Sequence, residues 1–379
     1  MKFAFRGHRV IPLALSLALV GCATVPPPRG VDYRGSAPPA VVEPGSPSAP
    51  SAAPSREWRA AGAGQDASFE RSALLTDTFY RNADALAQQV EKSGAMGVNR
   101  GWEAASRKGG DWFIEEQRFA DTVIGAGVNR NRVDMIDAGL RALEWGFQQQ
   151  AADGSFPCRE NYLSASYFVA AAAHSIWLLE TTGYARDFSG RIGFMKPKLR
   201  IAAQWLAVKA NIDSARAGHD VHTSRYALTG YALAATGRVL GDPALALAGE
   251  DMVSVGLSKQ HASGYFLERG GFDVSFHAEA LVYLLRFYDH AASGETRRTI
   301  EAPIQRALAW LESRTNSAGV IQTAGNTRSG FGQERDRTGQ PRRVSAVAVS
   351  RAFGLARYVL NDSKYEALAR AVANARQPT

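Results

Sequence analysis

Cysteine is scarce in this chain of 379 residues, where only Cys22 and Cys158 are present. Cys22 directly follows the N-terminal apolar run, which leaves Cys158 alone in the rest of the chain. No disulfide can then form within the folded part, so the fold must depend on its apolar core. A lone cysteine without a clear histidine partner is inert in most proteins, and we assign Cys158 no catalytic role.

Several ligand-binding and strand patterns are also missing. The sequence contains none of the HxxxH, HExxH or CxxC spacings that hold metal ions, and no phosphate-binding or dinucleotide-binding glycine loop. It therefore predicts no metal and no cofactor. The formal charge is +8, but no Lys/Arg block or aromatic-basic module is present, so nucleic acid is not an expected partner. Strand-like alternation is almost absent, which argues against a β fold.

The N-terminus has the features of a targeting signal. Lys2, Arg6 and Arg9 form a basic region, and the apolar run that follows is too short to span a bilayer. It ends in Leu19-Val20-Gly21-Cys22, which resembles the lipobox of bacterial lipoproteins. The resemblance implies a signal peptide at 1–21 and lipidation of Cys22. Because Ala23 follows instead of aspartate, it also implies a lipid anchor in the outer membrane, facing the periplasm. An ordinary secretory signal is the alternative.

The chain after this signal divides in two by composition. Residues 22–66 are rich in proline, alanine and serine, a composition that buries too little apolar surface to fold, and we interpret them as a disordered tether. Residues 67–379 form the predicted globular domain. Removing the three basic residues of the signal lowers the formal charge to +5. This mild excess of positive charge suits an anionic ligand.

Helical periodicity dominates from Phe69 onward. We predict a first helix at 69–91, a last helix at 362–376, and four pairs of helices between them. The pairs are 137–150 with 162–180, 198–211 with 223–240, 242–260 with 273–290, and 302–316 with 342–360. In each pair the second helix is nearly apolar all round, which indicates burial on both sides. An all-α, double-layered α/α toroid of about five to six hairpins explains this asymmetry better than an open solenoid does.

Two loops carry a family resemblance. Asp153–Pro157 and Gly264–Asp273 resemble loops of the α/α-toroid carbohydrate-active enzymes, a superfamily of polysaccharide lyases and glycoside hydrolases. The resemblance implies action on a polysaccharide. Together with the positive charge, it favours a uronate-containing polymer as partner.

The hairpin order predicts one mouth for the site. Loops 151–161, 212–222, 261–272 and 317–341 all join an outer helix to an inner helix, so they should meet at one end of the ring. The N-termini of the inner helices point there and favour anions.

The predicted reaction is cleavage of a uronate polymer by β-elimination, as in a polysaccharide lyase. It needs a group that neutralises the carboxylate, a base and an acid. Arg269, Arg225 and Asn161 are candidates for the first role, and His277 or His222 for the second. Tyr265, Tyr226 or Tyr162 would donate the proton. The remaining predicted substrate-binding residues are Arg159, Glu268, Asp273 and Arg343.

Other interpretations stay open at this stage. His277 could be a core histidine bonded to a backbone carbonyl, Asp273 an N-cap, and the tyrosines a cover over the boundary between loops and core. A glycoside hydrolase of the same fold would need two carboxylates, and the acids we consider are Asp153, Glu160, Glu268, Asp273 and Glu334. A third hypothesis is a non-catalytic lipoprotein that binds glycan or scaffolds an exopolysaccharide system, with protein partners in the cell envelope.

Overall fold

A computed structural model describes residues 71–101, 112–330, 334–336 and 339–377. The predicted signal peptide, Cys22 and the tether at 22–66 lie outside the described residues and stay predictions. Within the described residues the structure is helical, with isolated bridges in place of β-strands. This confirms the all-α prediction.

Thirteen α-helices occur in the described part of the chain. They are α1 (Ala73–Asp77), α2 (Ala83–Gln88), α3 (Phe119–Arg130), α4 (Val133–Gln148), α5 (Asn161–Thr181), α6 (Ser189–Ala207), α7 (Lys209–Val221), α8 (Ser224–Leu240), α9 (Pro243–Ser258), α10 (Val274–Arg286), α11 (Gly294–Ser313), α12 (Ala346–Val359) and α13 (Lys364–Asn374). A 3₁₀ turn, Ile114–Arg118, precedes α3, and a π turn, Phe287–Ala291, continues α10.

Five hairpins form two layers. The inner helices are α3, α5, α8, α10 and α12, and each is followed along the chain by an outer helix, namely α4, α6, α9, α11 and α13. Successive inner helices are in contact, and each also packs on an outer helix. Helix α5 is long and apolar enough to cross a membrane, but 89% of its apolar window is buried inside the protein, as in a core helix. The two layers confirm the predicted toroid.

The segment from Ser72 to Asp84 closes the ring by joining the last inner helix to the first. On the α12 side, Arg351 donates to the carbonyl of Phe79 at 2.8 Å. On the α3 side, Arg130 donates to the carbonyl of Tyr80 at 2.9 Å. Arg351 also reaches the Thr122 hydroxyl of α3 directly, at 3.4 Å. The inner helices therefore form a closed ring, which rules out the open solenoid.

A glycine turn recurs at the entry to four loops. In each copy the glycine has a positive φ, and a Cβ there would collide with the backbone of an outer helix. The four are Gly94, Gly154, Gly264 and Gly319. A glutamine amide bonds to each glycine carbonyl, from Gln117, Gln150, Gln260 and Gln377 respectively. Each turn thereby fixes where the chain leaves the outer layer, since only glycine adopts this conformation without strain.

Three predicted boundaries are wrong. The first helix, 69–91, is broken between α1 and α2, because the carbonyls of Phe79 and Tyr80 bond to arginines instead of continuing a helix. The predicted loop 212–222 is helical almost to its end, as part of α7, which is mostly solvent-exposed and has few large apolar residues. Helix α6 begins at Ser189, well before the start predicted at 198.

Candidate functional site

The main cleft runs from the N-terminal ends of α3 and α12 along the length of α10, from Ser275 to Arg286. It has a volume of about 390 Å³ and is lined by residues of α3, α10 and α12, with Phe79 and Asn82 from the closing segment. Two neighbouring loops meet beside it, because the amide of Thr327 donates to the carbonyl of Phe272 at 2.9 Å. The amide of Thr223, in turn, donates to Leu267 at 3.0 Å. The predicted gathering of these loops at one end of the ring is confirmed for residues 222–223, 261–272 and 317–330.

The lining of the cleft is strongly cationic. Five arginines face two acids, and the full charged set is Arg118, Arg286, Arg342, Arg343, Arg351, Asp121 and Glu279. Arg343 is exposed at the rim and forms no ion pair with a described residue. Burial, together with the neighbouring Arg286, lowers the pKa of Arg351 to about 10, so it still carries its charge at neutral pH. The excess of positive charge fits an anionic ligand.

Glu279 is half-buried in the wall of this cleft. Its carboxyl lies beside the hydroxyl of Tyr167 and close to Arg118. Burial raises the pKa of Glu279, and Arg118 only partly opposes this. The rings of Tyr167 and Tyr283 lie 6.3 Å apart, and burial raises the pKa of both phenols. Glu279 therefore combines access to the cleft with a tendency to hold its proton.

Asp121 is the second acid of the cleft, and its pKa is shifted in the opposite direction to that of Glu279. Its Oδ2 accepts from Arg286 at 2.8 Å and its Oδ1 lies 2.5 Å from Nδ1 of His174. Burial alone would raise the pKa of Asp121, but the charges of Arg286 and His174 outweigh burial and hold it well below its usual range. Burial and Arg286 lower the pKa of His174 to about 4. The cleft thus holds an acid whose pKa burial raises and an acid that its bond to Arg286 keeps ionised.

His277 does not reach the cleft, and its predicted role as a base is wrong. It is fully buried. Nδ1 accepts from the amide of Phe266 at 3.3 Å, and Nε2 donates to the carbonyl of Ala307 at 2.9 Å. Burial lowers the pKa of His277 to about 4. The core-histidine interpretation is the one the geometry supports.

Asp273 is also structural. It caps α10 by accepting from the amides of Ser275 and Phe276. Its other oxygen accepts from the amides of Arg328 and Ser329 at 3.2 and 2.7 Å. Because the carboxylate is fully buried and occupied by the protein's own donors, its predicted contact with substrate is wrong, and the N-cap interpretation is confirmed.

Glu268 and His222 form the centre of a buried ion network. Glu268 is fully buried and bonds to His222 at 3.1 Å and to Arg328 at 2.8 Å. Arg328 also bonds to Glu334, which accepts a contact from Arg269 at 3.5 Å. Burial would raise the pKa of Glu268, but His222 and Arg328 lower it. The network joins two loops and leaves neither Glu268 nor His222 open to a ligand, contrary to their predicted roles.

Two predicted tyrosines line a different, smaller cavity. Tyr162 and Tyr226 lie in a pocket of about 220 Å³ between α7, α8 and α9. The Tyr162 hydroxyl donates to the carbonyl of Leu206 at 3.0 Å, and that of Tyr226 donates to Asp220 at 2.5 Å. Burial raises the pKa of Tyr226 to about 12. They are absent from the lining of the main cleft, so the structure does not bring them together with Arg343.

The remaining predicted residues lie around the rim. Tyr265 stacks on His261 with ring centroids 4.3 Å apart, and Asn161 accepts from the amide of Tyr162 at the start of α5. Arg159 and Arg269 are exposed. Arg225 is half-buried in the first turn of α8. Of the residues predicted to bind substrate, Arg343 is the one that lines the cleft itself.

Sequence reasoning missed Glu279 and Asp121. A signal was available, because each is a carboxylate within the first two turns of an otherwise apolar inner helix. A charged residue at such a position is buried only when it is paired or functional.

The fold and this site define the protein as an α/α toroid with a cationic cleft that contains two carboxyl groups. No family model matches the chain, and no curated protein matches it. Among solved structures it aligns with a variant of an unsaturated glucuronyl hydrolase, whose title names the sugar dGlcA-Glc-Rha-Glc. The TM-score is 0.44 and the identity 12%, over 64% of this chain and 74% of that chain.

Proposed function

We propose that this protein is a glycoside hydrolase that acts on an anionic, uronate-containing glycan in the main cleft. The observation that carries the proposal is the carboxyl of Glu279, which burial holds toward its protonated form inside an arginine-lined cleft. A carboxyl whose pKa is raised keeps its proton to higher pH, as a glycosidase acid must.

The arginines supply the binding chemistry. A uronate carries a planar carboxylate, and guanidinium groups recognise carboxylates through paired hydrogen bonds. Arg343 has no partner among the described residues, and Arg342 shares Glu334 with two other arginines. The phenyl ring of Phe276 also lines the cleft and offers an apolar surface to a sugar face. The cleft thus offers both charge and contact area to an acidic sugar.

In the proposed reaction Glu279 gives its proton to the glycosidic oxygen as the bond from that oxygen to the anomeric carbon breaks. Water adds to the anomeric carbon and loses its proton to solvent, because both oxygens of Asp121 are already bonded to Arg286 and His174. β-Elimination is less well supported, because the described lining contains no imidazole. The phenols beside Glu279 are held protonated by burial, so they are poor bases.

Glu279→Gln tests this role. We expect the purified protein to release reducing ends from at least one uronate polymer, and the variant to be slower by about 100-fold or more, because it cannot donate the proton. Activity of the parent should fall as pH rises through the elevated pKa of Glu279. Reducing-end release measures cleavage of the polymer, and ultraviolet absorbance of unsaturated products distinguishes β-elimination from hydrolysis. Glu295→Gln, on the exposed side of α11, is the matched control.

Three outcomes would contradict the proposal. Unsaturated products that absorb in the ultraviolet would indicate β-elimination. Unchanged turnover in Glu279→Gln would remove this residue from the chemistry. Binding of uronate polymers without any product would indicate a glycan-binding or scaffolding lipoprotein.

We also propose that the protein is anchored by lipid at Cys22 and faces the periplasm. Support comes from the basic N-terminus, the short apolar run and the lipobox-like ending. Cys22→Ser should move the full-length protein from the detergent-rich to the aqueous phase in detergent partitioning. Equal partitioning of parent and variant would rule out the anchor.

A further inference from the structure

Arg225 is a half-buried cation whose guanidinium bonds to no described residue. It lies in the first turn of α8, and burial lowers the pKa of its guanidinium. It forms no ion pair or side-chain hydrogen bond with a described residue. A charged group that loses water is normally paired, because the loss of hydration is costly. Glu160 and Glu268 act on the charge of Arg225 from nearby, but no described residue bonds to its guanidinium.

The neighbouring arginines are paired, which sets Arg225 apart. Arg328 bonds to Glu268 at 2.8 Å and to Glu334 at 3.1 Å, and Arg118 contacts Glu115 at 3.3 Å. Glu268 acts on the charge of Arg225 without bonding to it, and its two oxygens accept from His222, from Arg328 and from the amide of Ser224.

Arg225 lies close to Tyr167. The electrostatic neighbours of its guanidinium are Tyr167, Arg328 and the carboxylates of Glu160 and Glu268. Tyr167 in turn lies beside Glu279 and under the guanidinium of Arg118, which is 4.8 Å from its ring centroid. On its other side, Arg225 rests against Gly218, where a Cβ would lie 2.9 Å from Nη1. Arg225 does not line the main cleft, so a ligand would reach it only by extending past Tyr167.

We propose that Arg225 binds a second acidic group of the glycan, on a sugar next to the one held in the cleft. The inference rests on the proposed function and narrows its substrate class. The ligand is a chain with carboxylates on at least two sugars, not a neutral chain that ends in a single uronate. Tyr167 would lie under the linkage between the two acidic sugars.

The test compares Arg225→Gln with the parent, both in the Glu279→Gln background so that no probe is consumed. Titration calorimetry would use monomers and trimers of galacturonate, glucuronate, mannuronate and guluronate. We expect the parent to bind at least one trimer more tightly than its monomer. Arg225→Gln should weaken trimer binding by about tenfold or more, equivalent to about 1.4 kcal/mol, and leave monomer binding unchanged. Arg225→Lys should restore part of the loss.

The controls separate the two proposals. Arg298→Gln, an exposed arginine on α11, should change neither affinity. Equal effects of Arg225→Gln on monomer and trimer binding, or no effect on either, would contradict the second acidic position. Neither result would contradict binding of a uronate in the main cleft. If the parent binds none of the uronates, the proposed function itself fails. Circular dichroism of Arg225→Gln shows whether any loss reflects unfolding.

Discussion

The ring of His277 makes two bonds to backbone groups in the core, and one of them requires the neutral imidazole. Nδ1 must be unprotonated to accept from the amide of Phe266. Protonation would break this bond and place a charge in a fully buried site, which is why burial lowers the pKa of His277 to about 4. A histidine in this state stabilises the fold near neutral pH.

His277→Gln should remove a pH dependence from stability. The folded-state pKa is about 4 and the unfolded value about 6.5. The unfolded state therefore binds more protons between these values, and stability is lost as pH falls from about 6.5 toward 4. Glutamine can make both backbone bonds but cannot titrate. Between pH 7 and pH 4 the parent should lose on the order of 3 kcal/mol more unfolding free energy than the variant, measured by urea denaturation.

His261 provides the comparison for this measurement. It is exposed and stacks on Tyr265, so His261→Gln should lose stability with acid as the parent does. If His277→Gln also follows the parent, the buried imidazole is not a source of the acid sensitivity.

At the scale of elements, the glycine turns set where each loop leaves the outer layer. Gly264 has φ +100°, and a Cβ there would lie 2.4 Å from the carbonyl oxygen of Arg306. The Gln260 amide ties this turn to the carbonyl of Pro303 at 3.0 Å. The turn thus holds the loop at 261–272 against α11. This loop leads to the start of α10, the helix that contains Glu279.

Gly264→Ala should destabilise the protein more than Gly270→Ala. Both glycines have a positive φ, but a Cβ on Gly270 would meet nothing within 4 Å. Both variants therefore suffer the unfavourable φ, and only the first adds a backbone collision. We expect the free energy of unfolding of Gly264→Ala to be lower than that of Gly270→Ala by more than 1 kcal/mol, measured by urea denaturation. Equal losses would mean that the close approach to α11 is dispensable.

The whole ring is crossed by a buried ion pair. Asp121 and Arg286 are 165 residues apart along the chain and bond at 2.8 Å between α3 and α10. Their side chains are 8% and 7% exposed. Breaking such a pair on one side leaves a charge with insufficient compensation, which is more harmful than removing both charges.

Arg286→Met should lower the free energy of unfolding by about 3–5 kcal/mol, because Asp121 would keep only His174 as a partner. Asp121→Asn combined with Arg286→Met should be less destabilised than Arg286→Met alone. The two single variants and the double variant form a thermodynamic cycle, which urea denaturation can measure. If the losses of the two single variants simply add, the two residues are not coupled across the ring.

The sequence by itself determined the layers of this fold. The inner helices were predictable because burial on both sides leaves a nearly apolar stretch, as in α5 and α8. Asp273 was predictable as a cap, because capping depends on its own amide neighbours. Helix α7 was not predictable, because it is mostly exposed and has few large apolar residues.

Only the tertiary structure decided which polar groups face the cleft. His277 and Glu279 are two residues apart on α10, yet one lies in the core and the other in the cleft wall. Which side of α10 faces the centre of the ring depends on α3 and α12, through contacts between residues far apart along the chain. The pKa values follow from the same contacts, since burial and neighbouring charges set them. The local sequence pattern therefore predicts neither the side of α10 that faces the cleft nor the pKa values of its side chains.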